Sequence, residues 1–424
     1  MASSVHSNEA ILVSILIQIA LVIVIARAAG EAAARMRQPR AVGEIVAGLA
    51  LGPSLFGHLF PGLSQAVFPA DAAQTMWMLS QVGLILLMFQ IGSDFEFKLL
   101  NNGANSRAVV MVALASITAP MALGFLLGGA AAPVLAPGVD AFAFSLFTAI
   151  ALAITAVPIL GRILAEYGLT RTEVGVIAIS AAAANDVVGW VALAVVAAIV
   201  SSGFSAGAFG LQVAGLALLG AFLWFAGRPF AAWLARRFPV KEGELSPVLM
   251  TIVIAFMLIA GVATQKLGIF TIFGGFLAGI LFHTHTAFVA AWRRTVGQFV
   301  LVFFLPIFFT LTGLRTNLLG LDTVEEWLWC GAFFSASVLG KIVPVYYAAR
   351  AAGLGREQAA ALGALMNTRA LMELIVLNIG LSMGVIPGDV FTMLVIMAVG
   401  TTLMTGPLLN LMPFVARSRQ SHAS

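Results

Sequence analysis

Long apolar segments separated by short polar loops run along the whole of this sequence. Most are about as long as the roughly 20 residues that a helix needs to cross the hydrocarbon core of a bilayer. The alternating pattern of about ten residues that marks membrane-spanning strands is absent from the sequence. We therefore predict an all-α polytopic membrane protein with about thirteen transmembrane helices. The predicted spans are 10–28, 41–57, 76–93, 107–129, 141–165, 172–200, 211–235, 246–264, 268–283, 296–315, 327–349, 356–381 and 390–413.

The composition supports this class. Hydrophobic residues make up 61% of the chain and charged residues only 9%, whereas a soluble domain carries roughly a quarter charged residues. Cys330 is the single cysteine, so the sequence excludes an internal disulfide framework and a cysteine-built metal site. Residues 1–10 lack the basic start and cleavage site of a signal peptide, so we expect the first apolar segment to remain as a helix. Membrane lipid is the expected surrounding, and no nucleic-acid partner is predicted.

The positions of Lys and Arg predict the orientation of the spans. With the N-terminus outside, 18 of the 22 basic residues fall on the cytoplasmic side, and the outside keeps only Lys266 and Arg315. A wrong number of spans would scramble this distribution. We predict a multi-pass protein of a bacterial-type inner or cell membrane, with its N-terminus outside and its C-terminus in the cytoplasm.

Two pairs of similar segments indicate an internal repeat. The sequence "MFQIGSDFEF" (88–97) ends span three, and "FTLTGLRTNL" (309–318) ends span ten in a similar register. Spans two and nine also correspond, since both are short and rich in glycine. Six crossings return the chain to its starting side and the seventh moves it across, so the second repeat is inverted, as is common in secondary transporters.

This repeat predicts the domain organisation. A single membrane unit covers residues 1–413, and a short cytoplasmic tail follows at 414–424 without a fused regulatory domain. Within the membrane unit, repeat one covers 10–200, a linker helix covers 211–235, and repeat two covers 246–413.

Apart from charges towards the span ends, four ionisable residues lie clearly inside the predicted spans: Asp186, Lys341, Arg369 and Glu373. Asp186 is the most informative of them. It lies about fourteen residues into span six, in "AAAANDVVGW", which is roughly 20 Å along a helix and near the middle of the membrane. A charge at that depth costs several kcal/mol and marks a functional site by default. Asn185 beside it donates and accepts hydrogen bonds without adding a second charge. The alternative is a structural carboxylate that is tied to a neighbouring helix.

Lys341 lies near the middle of span eleven, in "SVLGKIVPVYY". The nearest cytoplasmic end is about nine residues away, which is more than a lysine stem comfortably spans. A lysine loses its proton readily when it is desolvated and keeps it when a carboxylate is near. A mobile lysine–carboxylate pair is therefore one way to make a proton and a cation compete for the same site. The alternative is an ion pair that fixes two helices.

Pro158 predicts a break in span five, because it lacks a backbone donor and clashes with the carbonyl of Ile154. Thr155 lies beside that break and offers its hydroxyl. Broken helices in the membrane expose carbonyls and half-helix ends that bind ions, although proline kinks are also common in spans without such a role.

Span twelve contains "MNTR", a polar interruption where the repeat predicts a second broken helix. It includes Asn367, Thr368 and Arg369. Arg369 and Glu373 are four residues apart and can pair on one helix face, which favours a structural role for them over ligation. The histidines at positions 283 and 285 lie near a span end without a carboxylate, and we interpret them as loop residues.

These segments resemble a known family. "TAVPILGRILAEYGLTRTEVGVIAISAAAANDVVGW", "LGALMNTRALMELIVLNIG", "AGLALGPSLFG" and "LGK" with Lys341 are similar to segments of plant and bacterial cation/H⁺ exchangers of the monovalent cation:proton antiporter-2 superfamily. The resemblance covers about residues 40–410.

The resemblance implies a sodium/proton-antiporter fold with a core domain, a dimerisation domain and hence a homodimer. In that core, two broken helices cross beside the carboxylate. It also implies that Asp186 binds a proton or an alkali cation in turn, with Asn185 and Thr155 nearby and Lys341 as its charge partner.

The predicted function is therefore antiport of K⁺ or Na⁺ for H⁺ by alternating access, without a cofactor and without enzymatic activity. Electrogenic sodium exporters of this fold carry two adjacent aspartates where this sequence has Asn185 and Asp186. One titratable carboxylate favours electroneutral one-for-one exchange, although an intramembrane lysine is more typical of electrogenic members. The competing hypotheses are transport of an organic ion on the same fold, a channel, and an intramembrane enzyme.

Overall fold

A computed structural model describes residues 2–36, 38–94, 106–169, 172–202, 206–267, 271–369 and 371–415. Eighteen α-helices run through these ranges. They are α1 (Ala2–Arg35), α2 (Arg40–Leu51), α3 (Pro61–Val67), α4 (Ala70–Ser93), α5 (Ser106–Leu135), α6 (Ala141–Ala153), α7 (Val157–Glu166), α8 (Glu173–Ser202), α9 (Ala206–Phe222), α10 (Arg228–Arg237), α11 (Pro247–Lys266), α12 (Thr271–Ile280), α13 (Thr286–Trp292), α14 (Leu305–Arg315), α15 (Val324–Ala351), α16 (Arg356–Met366), α17 (Leu371–Ser382) and α18 (Gly388–Asn410). Extended pairing in the described ranges is limited to a bridge between Lys241 and Glu244.

The all-α polytopic prediction is confirmed. In the described part of the chain, nine helical stretches are long and apolar enough to cross a membrane, and four shorter apolar helices accompany them. The long stretches are Ile11–Arg35, Ala72–Ser93, Ser106–Leu135, Glu173–Ala197, Ala217–Arg237, Pro247–Lys266, Thr286–Gly320, Val324–Ala351 and Gly388–Asn410, and the short ones are Val42–Gly57, Ala141–Ala153, Thr271–Ile280 and Met372–Ser382. Each of the thirteen predicted spans corresponds to one of these stretches.

Span ten differs from its predicted bounds of 296–315. The helical stretch begins at Thr286 and runs through Arg293 and Arg294, which lie before the predicted start of the span. The Arg293 side chain is 60% exposed and its guanidinium lies 2.6 Å from the Asp94 carboxylate at the end of α4. An arginine at a span end can keep its charge in the interface by extending its side chain, so the charge does not end the helix.

The chain folds into two compact units, each with segments from both predicted repeats. Unit one consists of Met1–Arg27, Ala50–Phe95 and Ala197–Leu311, and unit two of Ala28–Leu49, Glu96–Val196 and Thr312–Ser424. In unit one, Phe89, Phe282, Phe288 and Trp292 form a buried aromatic cluster with ring centroids 4.7 to 6.4 Å apart. Unit two contains Asp186, Lys341, Arg369 and Glu373.

Glycines in two short helices allow equivalent close contacts in the two repeats. In α12, Gly274 and Gly279 lie so close to the backbones of α11 and α4 that a Cβ would overlap them. In α2, Gly43 approaches α1 equally closely, and Gly313 of α14 meets the α2 backbone. Under the predicted repeat, α2 corresponds to α12, α1 to α11 and α14 to α4. The two sets of contacts are therefore related as an inverted repeat requires.

Candidate ion-binding site

Span five breaks where the sequence predicts it. Helix α6 ends at Ala153, Ile154 is extended with φ −61° and ψ 143°, and α7 begins at Val157. A continuous helix would bring the Pro158 ring against the Ile154 carbonyl, and the extended Ile154 avoids this. Pro158 itself belongs to α7, and its side chain lies outside the described residues. The break leaves a helix C-terminus and a helix N-terminus inside unit two.

Span twelve breaks at the polar interruption without a proline. Helix α16 ends at Met366 and α17 begins at Leu371. Thr368 and Arg369 are fully buried in the interruption. Asn367 is also fully buried, and its side-chain amide has no hydrogen-bond partner among the described residues.

The two breaks contact each other directly. The Ala156 amide donates to the Thr368 carbonyl at 3.1 Å, and the Thr155 hydroxyl donates to the Met366 carbonyl at 3.0 Å. Each bond uses a backbone group that its own broken helix leaves free, and such groups must find a partner inside a membrane protein. Four half-helix ends therefore meet around this crossing.

Asn185 connects the crossing to α5 and α8. Its side-chain amide donates to the Thr155 hydroxyl at 3.2 Å and to the Ser116 hydroxyl at 3.0 Å. The Thr155 hydroxyl already gives its own hydrogen to Met366, so it accepts from Asn185. Ser116 was not predicted from the sequence, although it and Thr118 are the two hydroxyl residues of the apolar span four.

Asp186 is 3% exposed, and neither carboxylate oxygen has a hydrogen-bond partner among the residues that the structure describes. The amide of Val157, the first residue of α7, interacts with this carboxylate without reaching hydrogen-bond geometry. The N-terminus of a helix carries a partial positive charge, so the end of α7 favours an anion at this place. A buried carboxylate with free oxygens is suited to receive a proton or a cation.

Lys341 is fully buried, and its ammonium group donates to the carbonyls of Ser116, at 2.9 Å, and Ala153. Ala153 is the last residue of α6, where the partial negative charge of a helix C-terminus favours a cation. The resemblance implied Lys341 as the charge partner of Asp186. The two groups interact electrostatically, but no hydrogen bond joins them, because the ammonium group binds the backbone instead.

Arg369 and Glu373 form a fully buried ion pair, with an N to O distance of 3.7 Å. The guanidinium also donates to the carbonyls of Ala151, at 2.7 Å, and Ser337, at 3.4 Å. Arg369 precedes α17 rather than lying on it, so the pair joins the interruption to the first turn of α17. The Glu373 carboxylate oxygens make no hydrogen bond of normal geometry to any described residue.

The described part of the chain contains no group of three or more His, Cys, Asp and Glu side chains that could hold a metal ion. The two histidines singled out in the sequence lie in the turn between α12 and α13. Asp186 and Thr155 are both buried and offer oxygen atoms, the donor type that hard cations require.

The sequence is similar to known ion exchangers over almost its whole length. The family model of the transmembrane sodium/hydrogen exchanger matches residues 19–412. The chain is 37% identical over 399 residues to the Na⁺/H⁺ antiporter NhaS4 of Synechocystis, covering 94% of this chain and 96% of that protein.

Other relatives extend the similarity. The chain is 35% identical to cation/H⁺ antiporter 18 of Arabidopsis thaliana over 93% of its own length but 48% of that protein, so it spans about half the length of this plant relative. The structure also matches that of the sodium proton antiporter MjNhaP1 from Methanocaldococcus jannaschii, with a TM-score of 0.63, 15% sequence identity, and coverage of 97% and 98% of the two chains. At that identity the match shows a shared fold.

Proposed function

This chain belongs to the sodium/hydrogen exchanger family, and from that premise we propose that it exchanges a monovalent cation, K⁺ or Na⁺, for H⁺ across the membrane. The observation that carries the proposal is the buried Asp186 carboxylate, whose oxygens have no hydrogen-bond partner among the described residues. It lies beside two crossing helix breaks, which supply backbone carbonyls and helix ends.

Competition for one carboxylate couples the two ions. On one side of the membrane, deprotonated Asp186 takes a partly dehydrated cation, with the Thr155 hydroxyl oxygen as a neighbouring ligand. The site then becomes accessible from the other side, where a proton displaces the cation. A bare carboxylate in the membrane interior costs several kcal/mol, so the site changes sides with one ion or the other bound, and it never returns empty.

The pairing of the buried charged side chains favours electroneutral one-for-one exchange. Glu373 is paired with Arg369, and the Lys341 ammonium group is held by the Ser116 and Ala153 carbonyls. Asp186 is left as the carboxylate that alternates between ions. A proton and a monovalent cation neutralise it equally, so the net charge that crosses in the two directions is the same.

The proposal also includes the finer features expected from the sequence. The protein is a multi-pass membrane protein; we propose a cell membrane location with the N-terminus outside and the C-terminus in the cytoplasm, and a homodimeric assembly. No cofactor enters the proposed cycle, because the transported ions are the substrates. Cross-linking in native membranes, and accessibility of tags at each terminus, test the assembly and the orientation.

Proteoliposomes that contain a pH-sensitive dye test the function. After an imposed pH gradient, addition of K⁺, Na⁺ or Li⁺ dequenches the dye if the cation is exchanged for H⁺. We expect wild-type protein to dequench with at least one of K⁺ and Na⁺, and Asp186→Asn to show none, because the amide neither binds nor releases a proton in this range.

Asp389→Asn provides the matched control. It removes an exposed carboxylate from the first turn of α18, outside the crossing, and should exchange at the wild-type rate. Normal exchange by Asp186→Asn protein would show that another group carries the proton. If only an organic cation dequenched the dye, the substrate would be an organic cation rather than K⁺ or Na⁺.

A further inference from the structure

Of three closely spaced buried threonines of α18, two contact the interruption of span twelve, much as Asn185 of α8 contacts the break of span five. The Thr402 hydroxyl accepts from the Arg369 backbone amide at 3.3 Å, and the Thr405 and Thr368 hydroxyls are 3.1 Å apart. The third, Thr401, instead donates to the Ala398 carbonyl of its own helix at 3.1 Å. Two of the three therefore hold the interruption, whereas the third does not.

The hydrogen bonds continue from Thr368 to the side chain next to the carboxylate. The Thr368 carbonyl accepts from the Ala156 amide, and the Met366 carbonyl accepts from the Thr155 hydroxyl. Thr155 in turn accepts from Asn185, the residue before Asp186. A series of polar contacts thus runs from α18 through both breaks to Asn185, whose neighbour in the chain is Asp186.

We propose that Thr402 and Thr405 are positioning residues for cation binding: they fix the second interruption against the first and so set the geometry of the oxygens around Asp186 without touching the ion. The inverted repeat supports this proposal, because α8 and α18 are the last helices of the two repeats. In one repeat the residues beside the break bind the ion, and in the other repeat the equivalent residues are neutral hydroxyls that hold the crossing in place.

An ordinary packing role is the competing explanation, because threonine hydroxyls often bond to the carbonyl four residues back in their own helix. Thr402 and Thr405 make bonds of that kind as well, to Ala398 and Thr401. What distinguishes them is the additional contact with the interruption. Thr401 is equally buried, and among the described residues its hydroxyl bonds only within α18, so it provides a control within the same helix.

The test measures the KM for the exchanged cation in proteoliposomes for Thr405→Val, Thr402→Val, Thr405→Ser and Thr401→Val. Valine preserves the shape of threonine but lacks the hydroxyl. We expect Thr405→Val and Thr402→Val to raise KM about tenfold, the effect of one lost buried hydrogen bond, with the maximal rate changed much less. Thr405→Ser keeps the hydroxyl, and its KM should lie within about twofold of the wild-type value. The KM of Thr401→Val should lie within the same range.

The inference depends on the proposed antiport, and the experiment separates the two. If wild-type protein exchanges cations and both Thr405→Val and Thr402→Val keep its KM, the positioning role is wrong and the antiport stands. An equal rise in KM for Thr401→Val would overturn the positioning role in favour of packing. If the wild-type protein exchanged no cation, both the proposed antiport and the positioning role would be wrong. If one valine variant does not fold, the other decides the question.

Discussion

Asn185 donates amide hydrogens to the Thr155 and Ser116 hydroxyls, and its neighbour Asp186 has no hydrogen-bond partner among the described residues. The two adjacent side chains therefore have opposite roles. Asn185 is held by α5 and by the break of span five, whereas Asp186 is free to bind an ion. An aspartate at position 185 could not do what the asparagine does, because an ionised carboxylate has no hydrogen to donate.

Asn185→Asp is therefore expected to destabilise the protein rather than add a second proton site. The substitution leaves the Thr155 hydroxyl oxygen facing a carboxylate and places two like charges side by side. Loss of partners for buried polar groups costs about 1–3 kcal/mol, so the thermal unfolding temperature in detergent should fall. Ser116→Ala removes one of the two acceptors and should lower it less. An unfolding temperature for Asn185→Asp equal to or above that of wild type would contradict this account.

Candidate site residues could be predicted from the sequence where a side chain is unusual in a membrane span, or, for Thr155, where it adjoins a predicted helix break. Asp186, Lys341, Arg369 and Glu373 stand out because charges in spans are rare. Ser116 and the α18 threonines do not, since single hydroxyls in apolar helices are common. The sequence could not predict that Lys341 binds backbone carbonyls instead of Asp186. This depends on the distance between the Lys341 ammonium group and the C-terminus of α6, which only the folded structure gives.

At the scale of elements, the two interrupted helices differ in how far their sequences reveal them. Pro158 marks the first break by its stereochemistry. The second has no such residue, and the polar letters "MNTR" became a predicted break only through the repeat. Its cause is tertiary: the Thr402 hydroxyl accepts a hydrogen bond from the Arg369 backbone amide, which a continuous helix would have paired within itself.

Close packing of α12 on α4 gives a prediction at this scale. A Cβ at Gly279 would overlap the Phe89 carbonyl and lie 2.9 Å from the Ser93 amide nitrogen, so Gly279→Ala must separate the two backbones. Overpacking of this kind costs about 1–3 kcal/mol, and we expect a lower yield of folded protein by size-exclusion chromatography.

Gly220→Ala is the control for that variant. Gly220 lies in α9 of the same unit with nothing within 4 Å of the added Cβ, and alanine is favoured over glycine in a helix by about 1 kcal/mol. Its yield and unfolding temperature should equal or exceed those of wild type. Equal behaviour of the two alanine variants would show that α12 and α4 are not packed as described.

At the scale of the whole molecule, the inverted repeat accounts for both compact units. Each unit combines segments from before and after the predicted linker at 211–235, and the glycine contacts of α2 and α12 are equivalent. The span count and the repeat could be predicted because they follow from hydropathy and from the positions of basic residues. The composition of each unit could not, since it depends on which helices pack together.

Electroneutral exchange is the prediction that belongs to the whole molecule. If one charge crosses in each direction, the cation and proton gradients at equilibrium are independent of the membrane potential. A net transfer of one charge would shift that balance by about 2.3 kcal/mol at 100 mV, which is more than tenfold in a concentration ratio. The measurement is the final pH gradient in proteoliposomes, with a potential imposed by a lipophilic ion that is not a substrate. A potential-dependent gradient would contradict one-for-one exchange.

The central claim is that a cation and a proton exclude one another at Asp186, and proton release on cation binding tests it most directly. Purified protein in weakly buffered detergent solution, at a pH where the site is protonated, is titrated with K⁺ or Na⁺ while the pH is recorded. The account predicts release of about one proton per chain from wild type and none from Asp186→Asn. Cation binding by wild type without proton release, or equal release from Asp186→Asn, would contradict it.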